Sequence, residues 1–217
     1  MSGTNSTERP ERPPRKRRSD GERSRSAILD EAARLATVEG IQGLSIGRLA
    51  EAVGMSKSGL YAHFRSKEDL QLAIVDTASD LFSRVVTEPA DVATSALGRL
   101  RLLVEGYLRY IEVDTFPGGC FFASVLAEVD TQPGAVRDRL VAFLGDWLGR
   151  LEAAIREAQA EGAIRAGEDP AQLAFEVEAF LFLGNAQYVV ARGPAPLDRA
   201  RAAIERRIGA ALAARSG

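Results

Sequence analysis

From Ser24 to the end of the chain, apolar residues return every three or four positions, and no useful run alternates with the period of two that a half-buried strand needs. Ile28, Ala32, Leu35 and Ala36 share one helical face, and Ile46, Leu49, Ala50 and Val53 share another. That pattern leaves helix-on-helix packing as the available architecture, so the expected fold class is all-α. Ser45, Ser56 and Ser66 each stand before a helical pattern, and Asp69 follows Ser66 at capping-box spacing. In the second part, helices are expected at about 91–113, 134–161, 170–191 and 197–214, with a short one near 120–130. Pro117-Gly118-Gly119, Pro133-Gly134 and the run Arg192 to Pro196 punctuate them.

The chain has 217 residues, 46% of them apolar, which is enough to bury a sizeable core. The net charge of -2 hides a split. Arg9 to Arg25 is basic around Arg15-Lys16-Arg17-Arg18, and the rest compensates. Residues 1–22 hold almost no apolar side chains and are expected to form a disordered basic arm. Its plainest reading is a solvated tail; the sharper one adds sequence-independent phosphate contacts. With one cysteine, Cys120, and one histidine, His63, no metal site and no cofactor are expected. No nucleophile–base arrangement argues for an enzyme. No apolar signal core or spanning segment is evident, so no membrane partner and a cytoplasmic location are expected.

The stretch Leu44 to Leu70, LSIGRLAEAVGMSKSGLYAHFRSKEDL, constrains function most. A helix over 46–53 would end at Gly54, and Gly54-Met55-Ser56 would turn into a second helix over 57–64, the helix-turn-helix layout. Leu60 and Phe64 would be buried, leaving Lys57, Ser58, Gly59, Tyr61 and His63 on the outer face. Such a helix fits the major groove of double-stranded DNA. Gly59 would let the backbone approach, and Tyr61 and His63 suit phosphate hydrogen bonds. Ser45 and Lys67 open flanking helices whose free N–H groups favour an anion.

The run Leu60-Tyr61-Ala62-His63-Phe64-Arg65-Ser66-Lys67-Glu68-Asp69-Leu70 resembles the end of the DNA-binding domain of TetR-family regulators, and the likeness covers residues 24 to 72. The resemblance implies DNA contacts at Ser45, Lys57, Ser58, Gly59, Tyr61, His63 and Lys67. Family members often carry Thr or a larger residue where Gly59 stands, which moves base reading toward Lys57 and Ser58. The implied organisation is a three-helix DNA-binding domain at 23–70 and a larger helical ligand-binding and dimerisation domain at 71–217. The implied function is a homodimeric repressor on an inverted-repeat operator, released by a small-molecule effector, with helix 67–85 carrying the signal. An activator or a ligand-independent regulator would share these features.

Aromatic residues of the second part are expected to line an apolar cavity between helices, where bundles place ligands. The expected lining is Tyr107, Phe116, Cys120, Phe121, Trp147, Phe182 and Asn185, with Glu176, Glu178 and Gln187 as further polar groups on helix 170–191. Cys120 reads as a small buried apolar residue, or alternatively as an activated thiolate sensing oxidants or electrophiles. The apolar residues of 170–191 and 197–212 suit a two-fold four-helix interface.

Overall fold

Several helix starts fall where the sequence supplies partners for unpaired backbone groups. The computed structural model describes residues 15–129, 131 and 133–214, with side chains from residue 21 on. Helix α1 spans Arg15–Glu39, α2 Ile46–Ala52, α3 Lys57–Tyr61 and α4 Lys67–Phe82. A π-helical turn, Ser83–Thr87, leads from α4 into the short α5, Glu88–Ala90. Then come α6 (Ala96–Glu112), α7 (Phe121–Val129), α8 (Ala135–Ala160), α9 (Pro170–Ala191) and α10 (Ala195–Ala211). Among the described residues there is no strand, and a lone antiparallel bridge joins Ile164 to Leu212. The fold is all-α, with a helix-turn-helix at its N-terminal end.

Ser45, Ser56, Ser66 and Ser95 cap α2, α3, α4 and α6, each side chain accepting the N–H three residues on. Asp69 returns the favour at α4: its carboxylate accepts the Arg65 N–H at 2.9 Å. Each such cap is worth ~1 kcal/mol.

Several boundaries differ from expectation, each for a local reason. The stretch expected to be disordered to residue 22 is helical from Arg15, directly after Pro14. Lys, Arg and Glu are good helix formers, and a helix already nucleated over 24–39 extends backward at little cost. Residues 1–14 of the expected arm lie outside the described residues, as do the side chains of 15–20. Helix α3 stops at Tyr61 rather than 64, because Ser66 must leave helical geometry to cap α4. Helix α6 starts at Ala96 rather than 91, where Ser95 supplies the cap. Helix α10 begins at Ala195, with Pro196 tolerated in the first turn, and ends before Leu212 joins its bridge.

Helix α4 runs through the middle. Its Leu70, Ile74, Val75 and Ala78 are buried, and it packs against both α1 and α8. The expected boundary at residue 70 therefore falls within a helix shared by both halves. Helix α10 lays Ile204 and Ile208 against α9, whose Leu173, Val177 and Leu181 are buried. The apolar face of α10 is thus used within the subunit. Helix α9 keeps a second apolar face in the open, with Phe175, Phe182, Leu183 and Val190 exposed. By length and composition alone α9 could cross a bilayer. Its packing between α8 and α10 marks it instead as a core helix with one uncovered face.

Candidate nucleic-acid interface and the cavity behind it

The reading head is built by one glycine turn. Gly54 adopts φ +64°, its N–H bonds to the Glu51 carbonyl at 3.2 Å, and the Met55 N–H bonds to the Ala50 carbonyl at 2.9 Å. This is a Schellman motif, which ends α2 and aims the chain into α3. Leu49, Leu60 and Phe64 are buried between the helices, and Arg25 of α1 lies over the Phe64 ring at 5.1 Å.

Lys57 and Ser58 are exposed, and Tyr61 is 60% exposed. Among the described residues no group bonds the Lys57 ammonium, and Ser58 shares a hydrogen bond with Ser56 at 3.1 Å. The stem of Lys57 crosses Gly47 of α2. Gly59 donates its N–H to Ser56 Oγ at 3.1 Å. His63 is half-buried and tilted against Phe64. Ser45 and Lys67 sit apart from α3: Ser45 caps α2, and Lys67 donates to the Gln42 carbonyl. Lys67 thereby keeps two ammonium protons for another acceptor.

That last bond belongs to a joint that sequence reasoning missed. Glu128 of α7 accepts the N–H groups of Ile41 at 2.7 Å and Gln42 at 2.8 Å. Gln71 of α4 donates to the Ile41 carbonyl at 2.9 Å. Above it, the Gly118 N–H donates to Thr37 Oγ1 at 3.1 Å, and Arg34 donates to the Thr115 carbonyl at 3.3 Å. A Cβ on Gly118 would lie 2.1 Å from the Thr37 carbonyl oxygen, so only glycine allows this approach. The available signal is the single charged side chain on helix 121–129; its partners stand over 80 positions away.

Behind the joint lies a cavity of about 300 Å³ between α4, α6, α7, α8 and α9. Of the expected lining, Tyr107, Cys120, Trp147 and Phe182 are brought together there. Phe116, Phe121 and Asn185 are not. Phe116 packs on Tyr110 and Phe121, and Asn185 accepts the Cys120 N–H at 2.8 Å. Phe82, Phe122, Phe143 and Phe175 add rings that the expected lining lacked. Phe82 is the hub, meeting Tyr107, Tyr110, Phe122, Phe143 and Trp147 edge-on.

Burial pushes the Cys120 thiol up to about 11 against weaker hydrogen-bond contributions. A buried thiol held protonated is a poor nucleophile, which removes the physical basis for reading it as an electrophile sensor.

Glu178 of α9 is the acidic member of the lining, and its Oε2 accepts the Trp147 indole N–H at 2.7 Å. Burial raises its carboxyl to about 7, with the Trp147 bond opposing. Tyr107 and Cys120 face it, both also raised by burial. Because the folded-state value exceeds the unfolded one, this group's contribution is whole below about pH 4.3 and is lost as pH rises through about 7. Glu178→Gln, which never ionises, should gain on the wild type by about 2 kcal/mol between pH 5 and pH 8. Paired urea titrations at the two pH values check this; a constant difference would mean that the carboxyl is hydrated.

The chain is similar to known proteins along most of its length. A family model described as bacterial regulatory proteins, tetR family, matches residues 28–74. A second, described as tetracyclin repressor-like, C-terminal domain, matches residues 96–204. The transcriptional regulator AcuR of Cereibacter sphaeroides is 30% identical over 143 residues, 64% of this chain and 64% of that protein, so just under two thirds of that relative is spanned. The crystal structure of a TetR transcriptional regulator from Chloroflexus aurantiacus superposes with a TM-score of 0.80 at 24% identity, covering 89% of this chain and 98% of that one. At that identity the likeness shows the fold. The structure of AibR in complex with isovaleryl coenzyme A and operator DNA superposes at 0.69 with 26% identity, covering 86% and 97%.

Proposed function

This chain belongs to the TetR family of transcriptional regulators, and on that footing we propose that it is a repressor whose hold on an inverted-repeat operator is released when a small molecule enters the cavity. The observation that carries the reading is the joint. Helix α7 forms one wall of the cavity with Phe122, Ala123 and Leu126. The same helix, through Glu128, grips the turn that leads into the reading head. A ligand that displaces α7 therefore changes the position of α3. Helix α4, expected to transmit the signal, takes part through Lys67 and Gln71. Coupling of this kind needs only a difference in ligand affinity between two arrangements.

Two heads on a two-fold body require a symmetric site, with half-sites ~34 Å apart or somewhat more. The exposed stripe of Phe175, Phe182, Leu183 and Val190 on α9 supplies an apolar face for the second copy. The membership of AibR, bound to both an acyl coenzyme A and operator DNA, in the same fold supports a head and cavity that work together.

The test is selection of bound duplexes from a random pool, followed by anisotropy measurements on the selected site. Lys57→Ala should weaken binding by ~1–3 kcal/mol and relax preference at one base pair. Tyr61→Phe, which removes one exposed hydroxyl, should cost less, ~1 kcal/mol. Neither change should lower the melting temperature, since both side chains point away from the core. Wild-type affinity in both variants would remove α3 from the groove. A reporter promoter that loses activity when the protein is deleted would replace repression by activation.

A further inference from the structure

The lining of the cavity has an unusual balance of groups. It contains no Lys, Arg or His. The Trp147 indole N–H is committed to Glu178, and the Tyr107 hydroxyl and Cys120 thiol lie near the same carboxyl. Glu178 Oε1 accepts no hydrogen bond from any described residue. Around this carboxyl stand faces and edges of aromatic rings, with Tyr107 and Trp147 stacked at 6.0 Å and 22°.

Each ligand class meets these groups differently. An anion finds no cation in the lining and is repelled by the ionised Glu178. An uncharged apolar ligand strips water from Glu178 and gives nothing back, so above about pH 7 its binding must either bury an ionised carboxyl or take up a proton. A cation supplies the missing countercharge and is attracted to the ring faces as well. We propose that the effector is a compact lipophilic organic cation, a protonated or quaternary amine, held with its charge against Glu178 and its apolar body among the rings. This assignment rests on the cavity being the effector site. A volume of about 300 Å³ is at the small end for ligand pockets and favours a single-ring molecule. The cation also draws the Glu178 proton off, since its binding free energy favours the ionised form.

Trp147 is the one tryptophan of the chain, so its fluorescence reports on this cavity directly. The probes are phenyltrimethylammonium, its uncharged isostere tert-butylbenzene, and benzenesulfonate, an anion of similar size. At pH 8 the cation should bind at least about tenfold tighter than either of the others. Glu178→Gln keeps the shape and an acceptor for Trp147. It should lose at least about tenfold for the cation and hold tert-butylbenzene at least as tightly as the wild type, since no ionised carboxyl is then stripped of water. If tert-butylbenzene or benzenesulfonate binds as tightly as the cation, the charge assignment falls and the cavity keeps its role. If none of the three perturbs Trp147 at millimolar concentration, the cavity itself fails as an effector site, and the assignment with it.

Discussion

Phe82→Ala should lower the free energy of unfolding by about 4 kcal/mol, the largest loss expected from any single truncation in the body. Phe82 is 2% exposed and stands edge-on to five other rings drawn from α6, α7 and α8. Removing its ring therefore loses the transfer free energy of the benzyl group and leaves a void that three helices cannot close without moving. For a chain of this length, that corresponds to a fall in melting temperature of roughly 8–16 °C. Phe82→Leu keeps most of the volume and should cost under about 1.5 kcal/mol. Urea titrations at fixed protein concentration measure both variants. A loss below about 1 kcal/mol for the alanine variant would mean that these rings do not pack as one unit.

Gly118→Ala is the second large effect, and it acts through one added methyl group. A Cβ there would stand 2.1 Å from the Thr37 carbonyl oxygen and 2.8 Å from its carbon. Both are backbone atoms of α1, so no side-chain rotation relieves the overlap. The loop before α7 must lift off α1, breaking the Gly118 bond to Thr37 Oγ1. The expected cost is about 3 kcal/mol. Operator affinity should fall as well at temperatures where the variant stays folded, because the head loses its fixed pose on the body. Gly145→Ala is the control. It lies on α8, where a Cβ meets nothing within 4 Å, and should stabilise the protein by ~0.5–1 kcal/mol. Wild-type stability in Gly118→Ala would show that the loop and α1 are not in close contact.

What the sequence discloses tracks how local each feature is. The head is legible because its determinants are neighbours: Ser45, Gly54, Ser56 and Ser66 fix two caps, a turn and a third cap within about twenty positions. Helix α1 reaches further back than composition suggests, because a nucleated helix extends through residues that could not fold alone. The cavity is less legible. Phe121 and Phe122 are adjacent, and on a helix adjacent side chains point about 100° apart, so one can face the cavity and the other cannot. Composition gives no way to choose, and Phe122 is the one that lines it. Asn185 reads as a ligand-orienting amide and is instead spent on the Cys120 N–H. Glu178 stands among several polar residues of α9, and its distinction comes from Trp147, 31 positions away. Glu128 is illegible for the same reason: what it holds is backbone, which has no residue type to recognise.

That last property bears on how such a protein can be altered. The clasp between head and body is written in main-chain atoms: the amides and carbonyls of Ile41 and Gln42, and the carbonyl of Thr115. Main-chain atoms persist through substitution. The residues that grip them, Glu128, Lys67, Gln71 and Arg34, lie outside α3, and so do the rings around the cavity. On the proposed function, the two specificities, for a stretch of DNA and for an effector, would therefore be mechanically joined yet chemically separable. Exchange of the exposed side chains of α3 would then redirect the protein to another operator without rewriting that joint. Recasting the cavity would, on the same proposal, leave this joint to deliver a different signal.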